Sequence, residues 1–118
     1  MPKYLISFEK GAMDHIPEED FPEVGKAARA VCQEAEDAGV LVFSDGLDCE
    51  GDDVEHAVVT VDGMVTDGPY PESKELIGGL MIVDVPTREA ALEWAAKIAV
   101  ACRCAQDVRK FIYRPTGG

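Results

Sequence analysis

An α+β sandwich is the fold class that this sequence of 118 residues predicts. Apolar residues alternate in the predicted strands and recur every three or four positions in the predicted helices. The elements follow the order strand, helix, strand, hairpin, strand, helix, strand, which contains two β-α-β units. Because each β-α-β crossover is right-handed, both helices should cover the same face of one sheet. We therefore expect one domain, residues 1–118, with a ferredoxin-like arrangement.

The first strand and the first helix have the clearest patterns. The segment KYLISFE, residues 3–9, alternates, with Tyr4 and Ile6 on the same side. Asp20 suits the N-cap of a helix, and Glu23 three positions later completes a capping-box pattern. The helix should end at the glycine that follows its last apolar position. Its apolar stripe consists of Val24, Ala28, Val31, Ala35 and Ala38.

The middle of the chain predicts two buried strands on either side of a hairpin. VLVFS, from residue 40, and GLMIVDV, residues 79–85, are short and strongly apolar. Between them, HAVVTV and MVT flank Asp62 and Gly63, a dipeptide that favours a hairpin turn. These segments supply two of the strands and the hairpin of the proposed order.

A second helix and a last strand complete the predicted fold. Thr87 can cap the helix, and Glu89 is favourable near its positive end. The segment VRKFIYR, residues 108–114, is the last strand. The buried stripe of the second helix should consist of Leu92, Ala95, Ile98, Ala99 and Cys102.

The predicted strands are apolar on both faces, as the neighbours Leu5 and Ile6 illustrate. One face meets the helices, but no third helix exists to cover the other. A large apolar sheet face in water is unusual for a monomer. We therefore expect a homodimer in which this face is buried against a second copy.

The composition opposes several classes of partner. A formal net charge of -12 disfavours nucleic acid and anionic membranes, which attract Lys and Arg. No apolar run approaches the roughly 20 residues of a membrane-spanning helix. The N-terminus leads directly into a strand without the pattern of an export signal. We therefore expect a cytoplasmic protein with its four cysteines as reduced thiols.

Metal and cofactor motifs are weak in this sequence. Cys102 and Cys104 are separated by one residue, whereas redox and zinc motifs usually place at least two residues between thiols. The acidic stretch DGLDCEGDDVEH lacks the glycine and the final glutamate that a calcium loop needs. Nucleotide-binding, serine-hydrolase and zinc-protease motifs are absent. We expect no metal and no cofactor.

The stretch TDGPYPESKELIGGL, residues 66–80, carries the strongest candidate site. Asp67 can accept hydrogen bonds from the turn that follows it. We predict that Asp67, Tyr70, Glu72 and Glu75 border a cleft between the sheet and the helices. A buried carboxylate of Asp67 or Glu75 could then act as a general base. The alternative is a structural turn with solvated charges, because isolated surface ion pairs contribute little.

The segment VTDGPYPESKELIGGLMIVDVPTREAALEWAAK resembles the DGPF-type branch of the YCII-related proteins. The stretch AGVLV, residues 38–42, fits the same pattern. The resemblance implies a ferredoxin-like domain that pairs into a dimeric α+β barrel. The matching positions are Asp67, Gly68, Pro69, Tyr70, Glu72, Lys74, Glu75, Gly78, Gly79 and Asp84.

The resemblance does not carry over a reaction. Some YCII-related proteins look like enzymes with a His on the first helix and a nearby Asp as an acid–base pair. Ala28 occupies that helix position here, and Tyr70 replaces the Phe of DGPF. His15 is a weaker catalytic candidate, and Asp45 near it is a further ligand-binding candidate.

Three functions stay open from the sequence. The first is an enzyme or binding protein with a small-molecule pocket in each protomer, and the second is a non-catalytic accessory or regulatory module. A cofactor-free monooxygenase or isomerase is a third and weaker alternative, since it rests on the fold alone.

Overall fold

A computed structural model describes residues 1–48, 55–68 and 76–113 of the chain. In these ranges, two α-helices are combined with six strands. A one-turn 3-10 helix, Glu18–Asp20, precedes the first α-helix. The elements are β1 (Lys3–Glu9), α1 (Phe21–Asp37), β2 (Leu41–Gly46), β3 (Ala57–Val59), β4 (Val65–Asp67), β5 (Ile77–Asp84), α2 (Arg88–Cys102) and β6 (Asp107–Lys110).

Four strands form one antiparallel sheet in the order β2-β5-β1-β6. The β3-β4 hairpin is a separate two-stranded sheet. Each helix connects two strands that have one other strand between them in the sheet. Helix α1 connects β1 to β2 across β5, and α2 connects β5 to β6 across β1. This is consistent with the ferredoxin-like fold, and the α+β class is confirmed. No helix in the described ranges is long and apolar enough to cross a membrane.

The core lies between the two helices and one face of the larger sheet. Ile6 pairs with Met81, and Tyr4 with Val83, so these four side chains share that face. All four are buried in one cluster with residues of both helices. Burying a side chain such as Ile6 stabilises the fold by roughly 1.5–3 kcal/mol relative to exposure. Both helices therefore cover the same sheet face, as the crossover rule predicts.

The start of α2 agrees with the sequence. Thr87 is extended, and its hydroxyl accepts a hydrogen bond from the Ala90 N–H at 3.1 Å. The buried stripe of α2 differs from the prediction, since Ala91 and Ala101 are buried whereas Leu92 and Ala99 are only partly buried. Small side chains let the helix approach the core closely, and the bulkier Leu92 lies at its margin.

The capping box predicted at Asp20 is wrong. Asp20 has a helical backbone (φ -89°, ψ -14°) and makes no side-chain cap bond. The 3-10 turn, in which the Phe21 N–H donates to the Glu18 carbonyl, imposes this conformation, whereas a capping residue needs an extended one. The Asp20 carboxylate instead pairs with Arg103, the residue that follows α2, at 2.9 Å.

Gly78 and Gly79, near the start of β5, lie against Phe8 of β1. Phe8 pairs with Gly79, and a Cβ added to Gly79 would be 2.6 Å from Phe8 Cζ. A Cβ on Gly78 would be 3.1 Å from Phe8 Cε2 and 3.2 Å from the Lys10 backbone. The glycine pair therefore leaves the space in which the Phe8 ring lies.

The hairpin predicted around Asp62 and Gly63 is confirmed. Gly63 has a positive φ of 84°, and the Thr60 N–H donates to the Met64 carbonyl at 2.8 Å. The Thr60 hydroxyl donates to Asp62, and this bond, with a further one from the Met64 N–H, lowers the pKa of the Asp62 carboxyl. Local hydrogen bonds thus hold the turn.

Candidate functional site

A groove of about 550 Å³ lies between α1 and the sheet. Phe8, Met13, Leu41 and Met81 supply much of its apolar surface. The α1 side of the groove is one helical stripe, with residues three or four positions apart. This groove-facing stripe consists of Phe21, Val24, Gly25, Ala28, Arg29, Cys32, Gln33 and Glu36.

The groove exists because the middle of this stripe is small. Gly25, Ala28 and Cys32 follow one another at spacings of three and four, so they lie one above the other on the helix. Gly25 and Ala28 leave the space in front of them open, whereas Cys32 Sγ contacts the Ser44 hydroxyl of β2 on the opposite wall. A larger residue in this part of α1 would fill the space.

Few polar groups reach the groove, and most have partners. The Ser44 hydroxyl donates to Cys32 Sγ at 3.2 Å. The Asp45 carboxylate accepts a bond from the Gly46 N–H at 2.8 Å. The Gln33 side chain donates to Asp37 at 2.9 Å. The groove is therefore largely apolar with a small number of polar groups, which is typical of small-molecule sites.

Two thiols, those of Cys102 and Cys104, are poor nucleophiles at neutral pH. Burial raises the pKa of the Cys102 thiol to about 11, and the nearby Cys104 and Cys32 add to this. Burial also raises the pKa of Cys104, against a smaller opposite effect of the bond from Gln106. The reactive form of a cysteine is its thiolate. In residues 1–48, 55–68 and 76–113, no three His, Cys, Asp or Glu side chains form a group that could hold a metal ion.

Asp67, the central candidate from the sequence, lies outside the groove. It is the last residue of β4, is exposed and belongs to the separate hairpin. The Gly68 N–H that follows donates to the His56 carbonyl at 3.0 Å. The His56 ring covers Gly68 so closely that a Cβ there would be 2.3 Å from its Cδ2.

His56 lines a second depression, of about 640 Å³, with Leu47 and Leu76. A ligand near Asp67 would therefore lie at this hairpin depression and not between α1 and β2. Tyr70, Glu72 and Glu75 lie outside the described residues, so their predicted place around a cleft stays a prediction.

The two remaining candidates have different positions. Asp45 of β2 lines the groove at an exposed edge. His15 is exposed in the segment between β1 and α1, and it lines none of the cavities described above. Of the candidates that the structure describes, it therefore brings Asp45 to the groove and leaves Asp67 and His15 away from it.

Sequence reasoning missed the residues that form the α1 wall. The sequence singled out no role for Arg29 and interpreted Cys32 only as a reduced thiol. Ala28 was assigned to the core stripe and to the helix position of the family's His, and it also lines the groove. The available signal was the run of small residues at positions 25, 28 and 32 in a helix that is otherwise rich in long side chains. Such a run indicates a wall with space in front of it or a close helix contact.

Comparison of the sequence with known proteins shows which family shares these elements. A model of the YCII-related domain matches residues 8–108, from the end of β1 into β6. A comparison with curated proteins found no match. The matched segment contains both helices, the hairpin and almost the whole lining of the groove, and the chain therefore belongs to the YCII-related family.

Proposed function

We propose that this YCII-related domain binds a small, largely apolar molecule in the groove between α1 and β2. The observation that carries the proposal is an apolar-lined cavity of about 550 Å³ that α1 leaves open. Small-molecule sites typically have volumes of about 300–1,000 Å³ and a few polar groups that orient the ligand. A cavity of this size costs packing contacts, which is consistent with a groove kept for a ligand.

Binding is better supported than acid–base catalysis. Ala28 lines the groove where the family resemblance suggests a His, and the buried Cys102 thiol is protonated at neutral pH. A general-base role of Asp67 or of His15 would require a site nearer the hairpin or the β1–α1 segment, and Glu75 lies outside the described residues. Those roles stay predictions, as does the assignment to the DGPF-type branch.

We also propose that the protein is a homodimer in the cytoplasm, with the sheet face opposite the helices buried between the copies. Phe43, Ile82 and Leu5 lie in register across this face. The Phe43 side chain is 54% exposed at its edge, although it is one of the largest apolar groups of β2. Pairing of two such faces would form the dimeric barrel that the resemblance implies. Cys32, Cys102 and Cys104 are free thiols, which accords with a reducing compartment.

A thermal-shift screen with a variant that fills the groove tests the binding proposal. Ligands that bind the native state raise the melting temperature. We expect hits among compounds with an apolar body, and we expect Ala28→Phe to abolish their effect. Ala90→Phe, on a partly buried position of α2 that does not line the groove, is the matched control. If no compound raises the melting temperature, or if Ala28→Phe keeps every hit, the accessory-module alternative is favoured.

A further inference from the structure

We propose that Arg29 selects the head group of the ligand, so that the groove takes monocarboxylic acids with an aliphatic or aromatic body. The inference rests on the function proposed above and adds a ligand class to it. The guanidinium would bind the carboxylate of the ligand, and the apolar part of the groove would bind its aliphatic or aromatic body.

The guanidinium of Arg29 lies along α1 at the groove. A Cβ added to Gly25, one turn earlier, would be 3.2 Å from Arg29 Nη1. The missing side chain at position 25 therefore makes room for the guanidinium to fold back along the helix. Both residues line the groove, so the positive charge is beside the apolar cavity.

Arg29 has no carboxylate partner among the residues that the structure describes. Its neighbours three and four positions away on the helix are Gly25, Lys26, Cys32 and Gln33, and none of them is acidic. Lys97, Arg103 and Arg109 are paired with carboxylates, whereas Lys10, Lys26, Arg88 and Lys110 have, like Arg29, no ion pair with a described residue. Of these unpaired side chains, only that of Arg29 lines the groove among the described residues. In a chain with 23 acidic and 11 basic residues, this guanidinium is available for a ligand anion.

The two carboxylates that also line the groove do not neutralise Arg29 by contact. Glu36 is seven positions further along α1, which is about 10 Å along the helix axis. Salt in water screens charges over about the same distance. The Asp45 carboxylate lies on the strand side of the groove and accepts the Gly46 N–H. One guanidinium balances one negative charge, and the proposed ligand class is therefore monoanions.

A carboxylate fits the guanidinium better than other simple groups do. The planar fork of donors on Arg matches the two oxygens of a carboxylate, and charge-assisted bonds of this kind are stronger than neutral ones. Phe8, Met13 and Val24 present apolar surface to the rest of the molecule. The site therefore combines one oriented ionic contact with burial of an apolar body.

Calorimetric titration with two compounds of the same shape tests the role of Arg29. The probes are 4-phenylbutanoate and 4-phenylbutanamide, which share the body and differ in the charge of the head group. We expect the wild-type protein to bind the acid about tenfold more tightly than the amide, a typical gain for one charge-assisted bond. Arg29→Gln should remove this preference while it leaves the affinity for the amide unchanged. Arg29→Lys, which keeps the charge without the fork, should keep only part of the preference.

Lys26→Gln is the matched control, because it removes one positive charge from the same helix and the residue does not line the groove. It should keep the full preference for the acid. The inference is overturned if acid and amide bind the wild-type protein equally, if Arg29→Gln keeps the preference, or if Lys26→Gln loses as much. If both probes bind equally and Ala28→Phe abolishes both, binding in the groove stands and only the carboxylate class falls. If neither probe binds, the inference is also overturned, and the screen described above decides the proposed function.

Discussion

Two glycines, Gly79 and Gly25, leave space for side chains that line the groove. Gly79 leaves room for the Phe8 ring, and that ring forms part of the groove wall. Gly25 leaves room for the Arg29 guanidinium. At both positions, glycine leaves space for a side chain that lines the groove, namely Phe8 or Arg29.

Gly79→Ala should destabilise the fold by about 1–3 kcal/mol, because its Cβ would meet Phe8 at 2.6–2.7 Å and the ring would have to leave its place. Gly46→Ala is the control, since a Cβ there meets only a carbonyl oxygen at 3.9 Å. Urea unfolding measures both changes. Equal stability of the two variants would contradict the account of the glycine pair.

Cys102 should be the slowest of the described cysteines to react with iodoacetamide in the native protein at pH 8. Its thiol is buried, and its raised pKa keeps it protonated there. Mass spectrometry of tryptic peptides after timed alkylation measures the rates, with the urea-unfolded protein as the control. Native rates as fast for Cys102 as for Cys32 would contradict the prediction.

The same pKa has a consequence for stability at high pH. Because the pKa of Cys102 in the folded protein, about 11, is above the ordinary value of 9.0, folding favours the protonated thiol. The contribution is fully present below about pH 9 and is lost as the pH rises through 11. In urea unfolding, Cys102→Ala should lose less stability between pH 8 and pH 10.5 than the wild type. An identical loss in both proteins would exclude this linkage.

At the scale of elements, the two helices start in different ways. Thr87 caps α2 with its hydroxyl, whereas Asp20 precedes α1 in a 3-10 turn and pairs with Arg103. The pair fixes the start of α1 to the end of α2. Both Asp20 and Thr87 are predicted N-caps from the sequence, but only Thr87 makes a side-chain cap bond.

Thr87→Ala should cost about 1 kcal/mol of unfolding free energy, the usual effect of losing an N-cap. Asp20→Asn keeps the size of the side chain and removes its charge, so any loss reports on the pair with Arg103. We expect a loss of about 0.2–1 kcal/mol for this partly exposed pair, and no further loss when Arg103→Gln is added. Additive losses in the double variant would show that the two side chains do not interact.

The elements were predictable because their signals are local. Alternation in residues 3–9 and the three-to-four spacing in α1 are properties of a few neighbouring residues. The pairing of Asp20 with Arg103 was not predictable, because the two residues are 83 positions apart. The groove was not predictable for a related reason: it results from the distance between α1 and β2, and the sequence shows only the small residues that permit it.

At the scale of the whole molecule, the fold leaves two kinds of apolar surface. One is the groove on the helix side of the sheet, and the other is the opposite sheet face with Leu5, Phe43 and Ile82. The first is concave and suits a small molecule, whereas the second is a sheet surface and suits a second copy. The two proposals therefore use different faces and can be tested separately.

Light scattering should give twice the chain mass of 12.7 kDa at micromolar concentration. Phe43→Glu should shift the mass to that of the monomer, because a charge would be buried between two apolar faces. Circular dichroism checks that the variant is folded, and Val61→Glu, at a fully exposed position of the hairpin, is the control. A wild-type monomer, or a Phe43→Glu dimer, would refute the proposed interface.

Backbone amide shifts in a ¹⁵N NMR titration test the binding groove most directly. A pool of small monocarboxylates and their uncharged amides is added to the labelled protein at increasing concentration. We predict concentration-dependent shifts at the groove, at Gly25, Ser44 and Gly46, with little change at His56 and Gly68 of the hairpin. Shifts confined to His56 and Gly68, or no saturable shift at the groove, would contradict the claim that α1 and β2 form the ligand site.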